Sequence, residues 1–472
     1  NLMLGAATDE TKRETNYKMA WNFSVPDFFS YSNASDTDKK FAHSSSKKRL
    51  AGVFGELRAS WKNMAFLTVT GRNDWTSTLP KENRSYFYPS VSGAFVFTEL
   101  LNNMGLLNDD ILTYGKIRAS WAKVGKDTGV YETATSLWPV ATYLSGLTGI
   151  GNSWTRGNPY LKPEMTKSTE LGIELSFFKN RLHFDFAYYT NDSYNQIISP
   201  RGPQSTGYIF CSANVGNVLN KGMEFSISGT PIETKDLRWD VALNIAGNRG
   251  KLEGLPDGMN VMYVTDVQYA NAQAASFSGG KFMAIAGHSL MRTEDGKNII
   301  LDANGMPQYS TTLGYVGNRE SKFTGGINNT LTWKNFTFNM LWEFRCGGAV
   351  INGTKYAMDA AGTSQWSEEL RNNGLTVSGV RKEGDNYVPV TNTWKADQVY
   401  DFGGKKMLGY NIIRNYITSY QSHNTIDYIT DVNLLRLRSI SVTYDLPKSL
   451  LDKTRVIKRA TISASATNLL LF

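Results

Sequence analysis

The chain has 472 residues, a formal net charge of +8, 12% aromatic residues, and 42 glycines against 13 prolines. It holds no run of eighteen apolar residues, which excludes a transmembrane helix, and its two cysteines exclude a disulfide framework or a multi-cysteine metal site. The mean hydropathy of −0.34 would suit a soluble protein, but a transmembrane β-barrel escapes that test because lipid-facing and lumen-facing residues alternate and cancel. The positive charge reads as the ordinary mixture of a solvated lumen and loops.

In chain order, Tyr17–Val25 is partly amphipathic, and the polar run Ser32–Arg49 is predicted to be a mobile loop. Val53, Leu57, Ala59 and Trp61 then alternate into Lys62-Asn63-Met64, with Leu67 and Val69 beyond, a register that needs a three-residue loop. Gly71–Ser90 is an aromatic, turn-rich connection, and Val91, Gly93, Phe95 and Phe97 mark the next strand. A short helical piece, Glu99–Leu107, leads to a strand through Ile117, Ala119 and Trp121, and residues 125–167 read as a long Gly- and Thr-rich loop.

Ser168–Thr190 is the clearest stretch. Leu171, Ile173, Leu175 and Phe177 are apolar at every second residue; after Phe178 the parity flips, and Leu182, Phe184, Phe186 and Tyr188 are apolar. A two-residue loop at Lys179-Asn180 sets Phe177 opposite Leu182 and Leu175 opposite Phe184. A slip by one residue would put charges among the phenylalanines. Asn tolerates the positive φ of such a turn. This register predicts a lipid-facing set, Leu175, Phe177, Leu182, Phe184 and Phe186, and a lumen-facing set, Glu170, Glu174, His183 and Asp185.

A polar loop is expected at 191–220. Met223, Phe225 and Ile227 pair with Trp239, Val241, Leu243 and Ile245 across Pro231–Asp236. Residues 249–320 alternate poorly and suggest elaborate loop with one or two strands. Phe323–Trp333 and Phe336–Phe344 repeat the hairpin device around Lys334-Asn335, with Trp333 facing Phe336. A long insertion at 347–427 precedes strands through Ile440–Tyr444 and Ala460–Ala464. Short turns alternate with long loops over roughly a dozen to fifteen strands of about ten residues, the length a tilted strand needs to cross a bilayer. The fold class is all-β, a transmembrane antiparallel barrel with long external loops and with the Lys-Asn turns on one, periplasmic side.

No HExxH, CxxC, P-loop or GxSxG motif is present, so no metal, cofactor or catalytic group is expected. The histidines His43, His183, His288 and His423 are scattered, and His183 reads as a solvated wall residue. Glu170, Glu174 and Asp185 share a face, which raises glycosidase chemistry; charged lumen walls are the plainer reading. Asp302, Asn304 and Gly305 fit a ligand-ligand-Gly turn but lack the closing carboxylate of a calcium loop, so an Asx turn is expected. Trp61, Trp333, Phe178 and Tyr189 fit an interfacial girdle. The loop tryptophans Trp138, Trp154, Trp366 and Trp394 could bind sugars or peptide side chains, or could staple the loops together. Cys211 and Cys346 are expected unpaired.

Several stretches, in order, resemble the SusC/RagA family of TonB-dependent outer-membrane transporters: Trp61–Glu99 with its Arg72-Asn73-Asp74 turn, Lys116–Gly125, Asn158–Tyr189, Asn220–Leu252, Phe323–Phe344 and Leu434–Leu451. The resemblance implies a 22-stranded barrel with an N-terminal plug, import of glycans or peptides beneath a SusD-like lipoprotein lid, and energy from the TonB–ExbB–ExbD system. No plug or TonB box can be matched, so residues 1–472 read as the C-terminal portion of the barrel. The family continues past the stretch that ends here at Asn468–Phe472, so the last strands are expected beyond it. The alternative from another class is a non-transporting receptor, an adhesin, or a barrel that anchors a surface complex; a hydrolase is a distant third.

Overall fold

The computed structural model describes all residues except 144–146, 257, 265–267, 421, 422 and 455. Thirteen strands form one antiparallel sheet in which each lies beside its neighbours in the chain. They are β1 (Leu2–Ala20), β2 (Lys39–Trp61), β3 (Ala65–Thr76), β4 (Ser85–Val96), β5 (Leu112–Lys126), β6 (Glu164–Phe177) and β7 (Leu182–Tyr194). After these come β8 (Asn217–Glu233), β9 (Leu237–Glu253), β10 (Phe323–Trp333), β11 (Phe336–Cys346), β12 (Leu434–Asp445) and β13 (Thr461–Leu471). Contacts divide the chain into two units: Asn1–Val96 with Arg118–Glu170 and Asn191–Asn217, and Phe97–Ile117 with Leu171–Thr190 and Val218–Phe472.

The registers follow from alternation. In the second unit Trp239, Leu331, Phe338, Val442 and Ala464 are successive cross-strand partners, an apolar row five strands wide. One residue along, Asp240, Thr330, Asn339, Ser441 and Ser465 form a polar row on the opposite face, and Thr330 donates to Asn339 Oδ1 at 2.8 Å. In the first unit Leu57, Val69 and Val91 are partners, and they are 50%, 38% and 41% exposed. Aliphatic rows left open to solvent would be costly in water, and hydrocarbon removes that cost.

The register expected around each Lys-Asn turn is present. Trp333 pairs with Phe336, and Trp61 with Ala65 across a three-residue turn. Between β6 and β7 the side-chain bonds Thr166–Ser193 (2.8 Å), Ser168–Asn191 (2.6 Å) and Ser176–His183 (3.0 Å) belong to the register that sets Phe177 against Leu182. Phe178, Lys179 and Asn180 all have positive φ, and Arg181 N–H donates to Phe178 O at 3.2 Å to close the turn. At the third turn Lys334, not Asn335, takes the positive φ, and Asn335 Nδ2 donates to Asp445 O at 2.7 Å. Lys62 and Lys334 lie over the rings of Trp61 and Trp333, at 5.2 and 5.8 Å. Backbone bonds Phe178–Ile111, Thr230–Arg181, Lys334–Asp236 and Asp445–Asn335 line up the short connections of the second unit along one edge.

Several expectations change. The Ser32–Arg49 run is no mobile loop: from Lys39 it belongs to β2, which pairs with β1 from Leu2↔Leu57 to Ala20↔Lys39. Its residues are polar on both faces, so alternation gives no signal, yet the backbone ladder and the ion pairs of Glu10 with Lys47 (2.7 Å) and Arg49 (2.6 Å) hold it. Strands of 19 and 23 residues outrun the hydrocarbon, and their polar ends stand in water. The Pro231–Asp236 turn narrows to 234–236 because β8 continues to Glu233. Among the described residues of 249–320 there are five short strands rather than one or two, Val261–Tyr263, Gln273–Phe277, Ala284–Gly287, Ile300–Leu301 and Gly314–Asn318. The 125–167 loop likewise holds short strands at Leu137–Tyr143, Leu147–Asn152 and Thr155–Arg156. The helical piece shortens to α1, Phe97–Asn103.

Candidate functional site

The polar face of the wall carries its charges in pairs. Lys116 on β5 is ion-paired with Glu174 on β6, and Arg118 with Glu170 at 3.5 Å. His183 Nδ1 shares a hydrogen bond with Ser176 Oγ at 3.0 Å, and the same register puts Asp185 across from Glu174. Farther along, Glu343 accepts from Arg436 at 2.6 Å and Arg438 at 2.8 Å. Glu170 and Glu174 therefore answer basic partners on the adjacent strand, an arrangement for a neutralised wall rather than an acid–base pair. On the other face Phe184 packs edge-on against Phe225 with ring centroids 5.2 Å apart.

In the first unit the strand ends are locked by two carboxylates that sequence reading did not single out. Asp127, just past β5, accepts from Lys48 Nζ (2.6 Å), Thr76 Oγ1 (2.6 Å) and Thr78 Oγ1 (3.1 Å). Asp74, 4% exposed, accepts from Arg72 Nε at 2.7 Å and the Tyr88 hydroxyl at 2.5 Å. Gly52 is Asp74's partner on β2, and a Cβ there would land on the Asp74 carboxylate, so the close approach requires glycine. Thr76 and Thr78 are buried and share a hydrogen bond of 2.9 Å with each other, so removing Asp127 leaves one of the two hydroxyl protons unpaired. Asp127→Ala is expected to cost about 1–3 kcal/mol and Asp127→Asn less. The shift in urea midpoint of the refolded protein in lipid measures both.

The long connections are folded, not slack. In the first unit Thr155–Arg156 pairs in parallel with Phe210–Cys211, Ser212 Oγ donates to Glu132 at 2.8 Å, and Leu161 is fully buried beside Leu79 and Tyr86. In the second unit Ala349–Ile351 pairs with Ile429–Asp431 as a neck. There α2 (Gly353–Ala361) packs on Tyr428 through Tyr356 and Asp359, and α3 (Gln365–Asn373), the hairpin Leu375–Glu383/Asn386–Trp394 and α4 (Gly409–Asn415) enclose a core of Leu301, Leu375, Val377, Trp394, Ile412 and Ile413. Tyr428 is buried against Asp359, whose Oδ2 accepts its hydroxyl proton at 3.2 Å; burial and then that carboxylate push the phenol far above its ordinary pKa. A polar cavity of about 550 Å³ opens at the strand ends beside Arg249, Lys281, Glu320 and Lys322.

The loop tryptophans separate. Trp394 is 4% exposed in that core and staples the loop domain, and Trp366 packs on the same core. Trp138 and Trp154 are 51% and 64% exposed, with Trp138 Nε1 donating to Asn152 O at 2.8 Å. Asp302 Oδ1 accepts from Asn304 N and Met306 N, each at 2.8 Å, an Asx turn closed by Gly305 at φ +78. No cluster of three metal-ligating side chains occurs among the described residues. Cys211 and Cys346 are free thiols.

A sheet with one aliphatic and one ion-paired face, tight turns along one edge and folded long connections, defines a transmembrane β-barrel. The family model "TonB dependent receptor-like, beta-barrel" matches residues 2–469, and the chain belongs to that family, whose barrels lie in the outer membrane. It is 26% identical over 458 residues to TonB-dependent receptor P3 of Formosa agariphila, covering 90% of this chain and 41% of that one. It is also 26% identical over 312 residues to TonB-dependent receptor SusC of Bacteroides thetaiotaomicron, covering 62% of this chain and 31% of SusC. A structure of the RagAB peptide importer in its closed-closed state superposes with a TM-score of 0.74 at 19% identity, over 100% of this chain and 50% of that one. The chain thus spans less than half the length of these curated relatives.

Proposed function

We propose that the chain supplies wall and external loops to an active, SusC-like importer of oligosaccharides or oligopeptides. The observation that carries this is the pairing of a neutralised polar face with folded connections that have their own buried core. A passive pore needs no such domain; a site that receives cargo and a lid does. On this reading the short turns are periplasmic, Leu175, Phe177, Leu182, Phe184 and Phe186 meet lipid, and Glu170, Glu174, His183 and Asp185 line the lumen. A SusD-like lipoprotein covers the mouth over more than about 2,000 Å², as permanent complexes do. Energy reaches the barrel from the TonB–ExbB–ExbD system, and no residue here is assigned chemistry on the cargo.

Uptake of cargo identified by mass spectrometry of the co-purified complex tests this. Import should stop when a protonophore collapses the inner-membrane gradient. Undiminished entry under that treatment would leave a passive pore, and no entry under any condition would leave a receptor or an adhesin.

A further inference from the structure

We propose that the cleft between the Asp302–Tyr309 turn and the Phe402–Ser419 segment binds one neutral hexose unit of an oligosaccharide. The proposal rests on the importer reading and narrows its cargo to uncharged glycan. The cleft holds about 450 Å³, within the range of small-ligand sites. Its floor is apolar, built from Met306, Phe402, Met407, Ile412 and Tyr416. Ile412 is 2% exposed and anchors that floor in the loop-domain core. The rim is polar, and its Asn304, Lys405 and Asn415 are exposed. Asp302 Oδ2, the side-chain amides of Asn304 and Asn415, and the Lys405 ammonium make no hydrogen bond or ion pair among the described residues.

The backbone holds these rim groups in place, which lowers the ordering cost of binding. Asp302 Oδ1 accepts from Asn304 N and Met306 N, each at 2.8 Å, so the carboxylate is fixed while Oδ2 stays free. Asn415 closes α4, whose Ile412 and Ile413 are buried. Lys405 is paired with Phe402 across a tight turn, and Asp401 Oδ1 stiffens that turn by accepting from Gly404 N at 2.6 Å. The chemistry of the rim selects the ligand. A carboxylate only accepts, an ammonium only donates, and an amide does both. A hydroxyl rotates to suit each of them, and a hexose carries several around a ring whose C–H faces suit an apolar floor. An apolar peptide side chain would cover the floor and leave the rim unmet, and a peptide backbone offers one fixed donor and one fixed acceptor per residue. Charge narrows the class further. Asp302 and Lys405 are the charged residues lining the cleft among the described residues, so their charges balance and an acidic sugar gains no net attraction.

The test is calorimetry on the whole protein in lipid nanodiscs. The neutral probes are maltohexaose, mannohexaose and laminarihexaose, with hexagalacturonate as the acidic probe and Ac-Ala-Phe-Ser-Ala-amide as the peptide. At least one neutral hexaose should bind saturably, and at least tenfold tighter than hexagalacturonate or the peptide. Asp302→Asn keeps the Oδ1 acceptor of the turn and replaces Oδ2 by a donor. It should weaken that hexaose at least threefold and, by leaving the cleft positive, shrink its margin over hexagalacturonate. Asn415→Ala should also weaken it at least threefold, with heat-modifiable migration on a gel unchanged. Hexaose binding indifferent to both substitutions would overturn the proposal. So would peptide or hexagalacturonate bound tighter than every neutral hexaose, or no saturable heat from any of them. Energy-dependent import with no hexaose binding would overturn the cleft alone. Hexaose binding that both substitutions weaken, without import of that hexaose, would support the cleft and overturn the importer reading.

Discussion

Replacing residues 365–415 by a short Gly-Ser linker is expected to abolish lipoprotein retention and to cut uptake at least tenfold, while the barrel still folds. None of those residues contributes to the thirteen-stranded sheet: β11 ends at Cys346, and β12 begins at Leu434. The neck pairing of Ala349–Ile351 with Ile429–Asp431 lies below the excision and survives it. The 254–322 connection does not escape, because Ile300–Leu301 runs beside Val380–Arg381 and Leu301 is 1% exposed in the shared core. Uncovering Leu301 forfeits about 1.5–3 kcal/mol of burial, so that segment should loosen too. Retention is read by co-purification, and barrel folding by heat-modifiable migration on a gel. A variant that kept its lipoprotein and its uptake rate would remove the loop domain from the lid.

Phe184→Arg carries the second large effect. The register places Phe184 beside Leu175 on the face opposite His183, and its ring packs edge-on against Phe225. If this face meets hydrocarbon, a guanidinium there costs about 2–4 kcal/mol near the midplane. His183→Arg, one residue away but on the ion-paired face, should cost about 1 kcal/mol or less, the worth of its hydrogen bond to Ser176. The contrast between adjacent positions, measured by urea titration in liposomes, is the sign of a two-faced wall. Equal effects at 183 and 184 would refute it.

The hairpins were legible because alternation and turn chemistry agree there. Leu171–Phe177 and Leu182–Tyr188 flip parity about a Lys-Asn pair, and only one register keeps Glu174 and Asp185 away from the phenylalanines. The polar half of β2 was illegible for the same reason in reverse: His43, Ser45 and Lys47 look no different from Ser44 and Ser46, so no period marks the strand. The loop domain was hidden by sequence distance. Leu301, Leu375, Trp394 and Ile412 are isolated apolar residues in polar, Gly- and Asn-rich surroundings, and only the fold assembles them. Asp127 was missed likewise, since its partners lie 49 to 79 residues away.

The sidedness of the wall is tested most directly by thiol labelling in intact cells. In a background with Cys211 and Cys346 replaced by Ser, single cysteines are placed at Lys179, in the tight turn between β6 and β7, and at Gly384, in the tip of the Leu375–Trp394 hairpin. A membrane-impermeant maleimide should label position 384 in whole cells, and position 179 only after the outer membrane is permeabilised. Labelling of position 179 in whole cells, with 384 protected, would contradict the account.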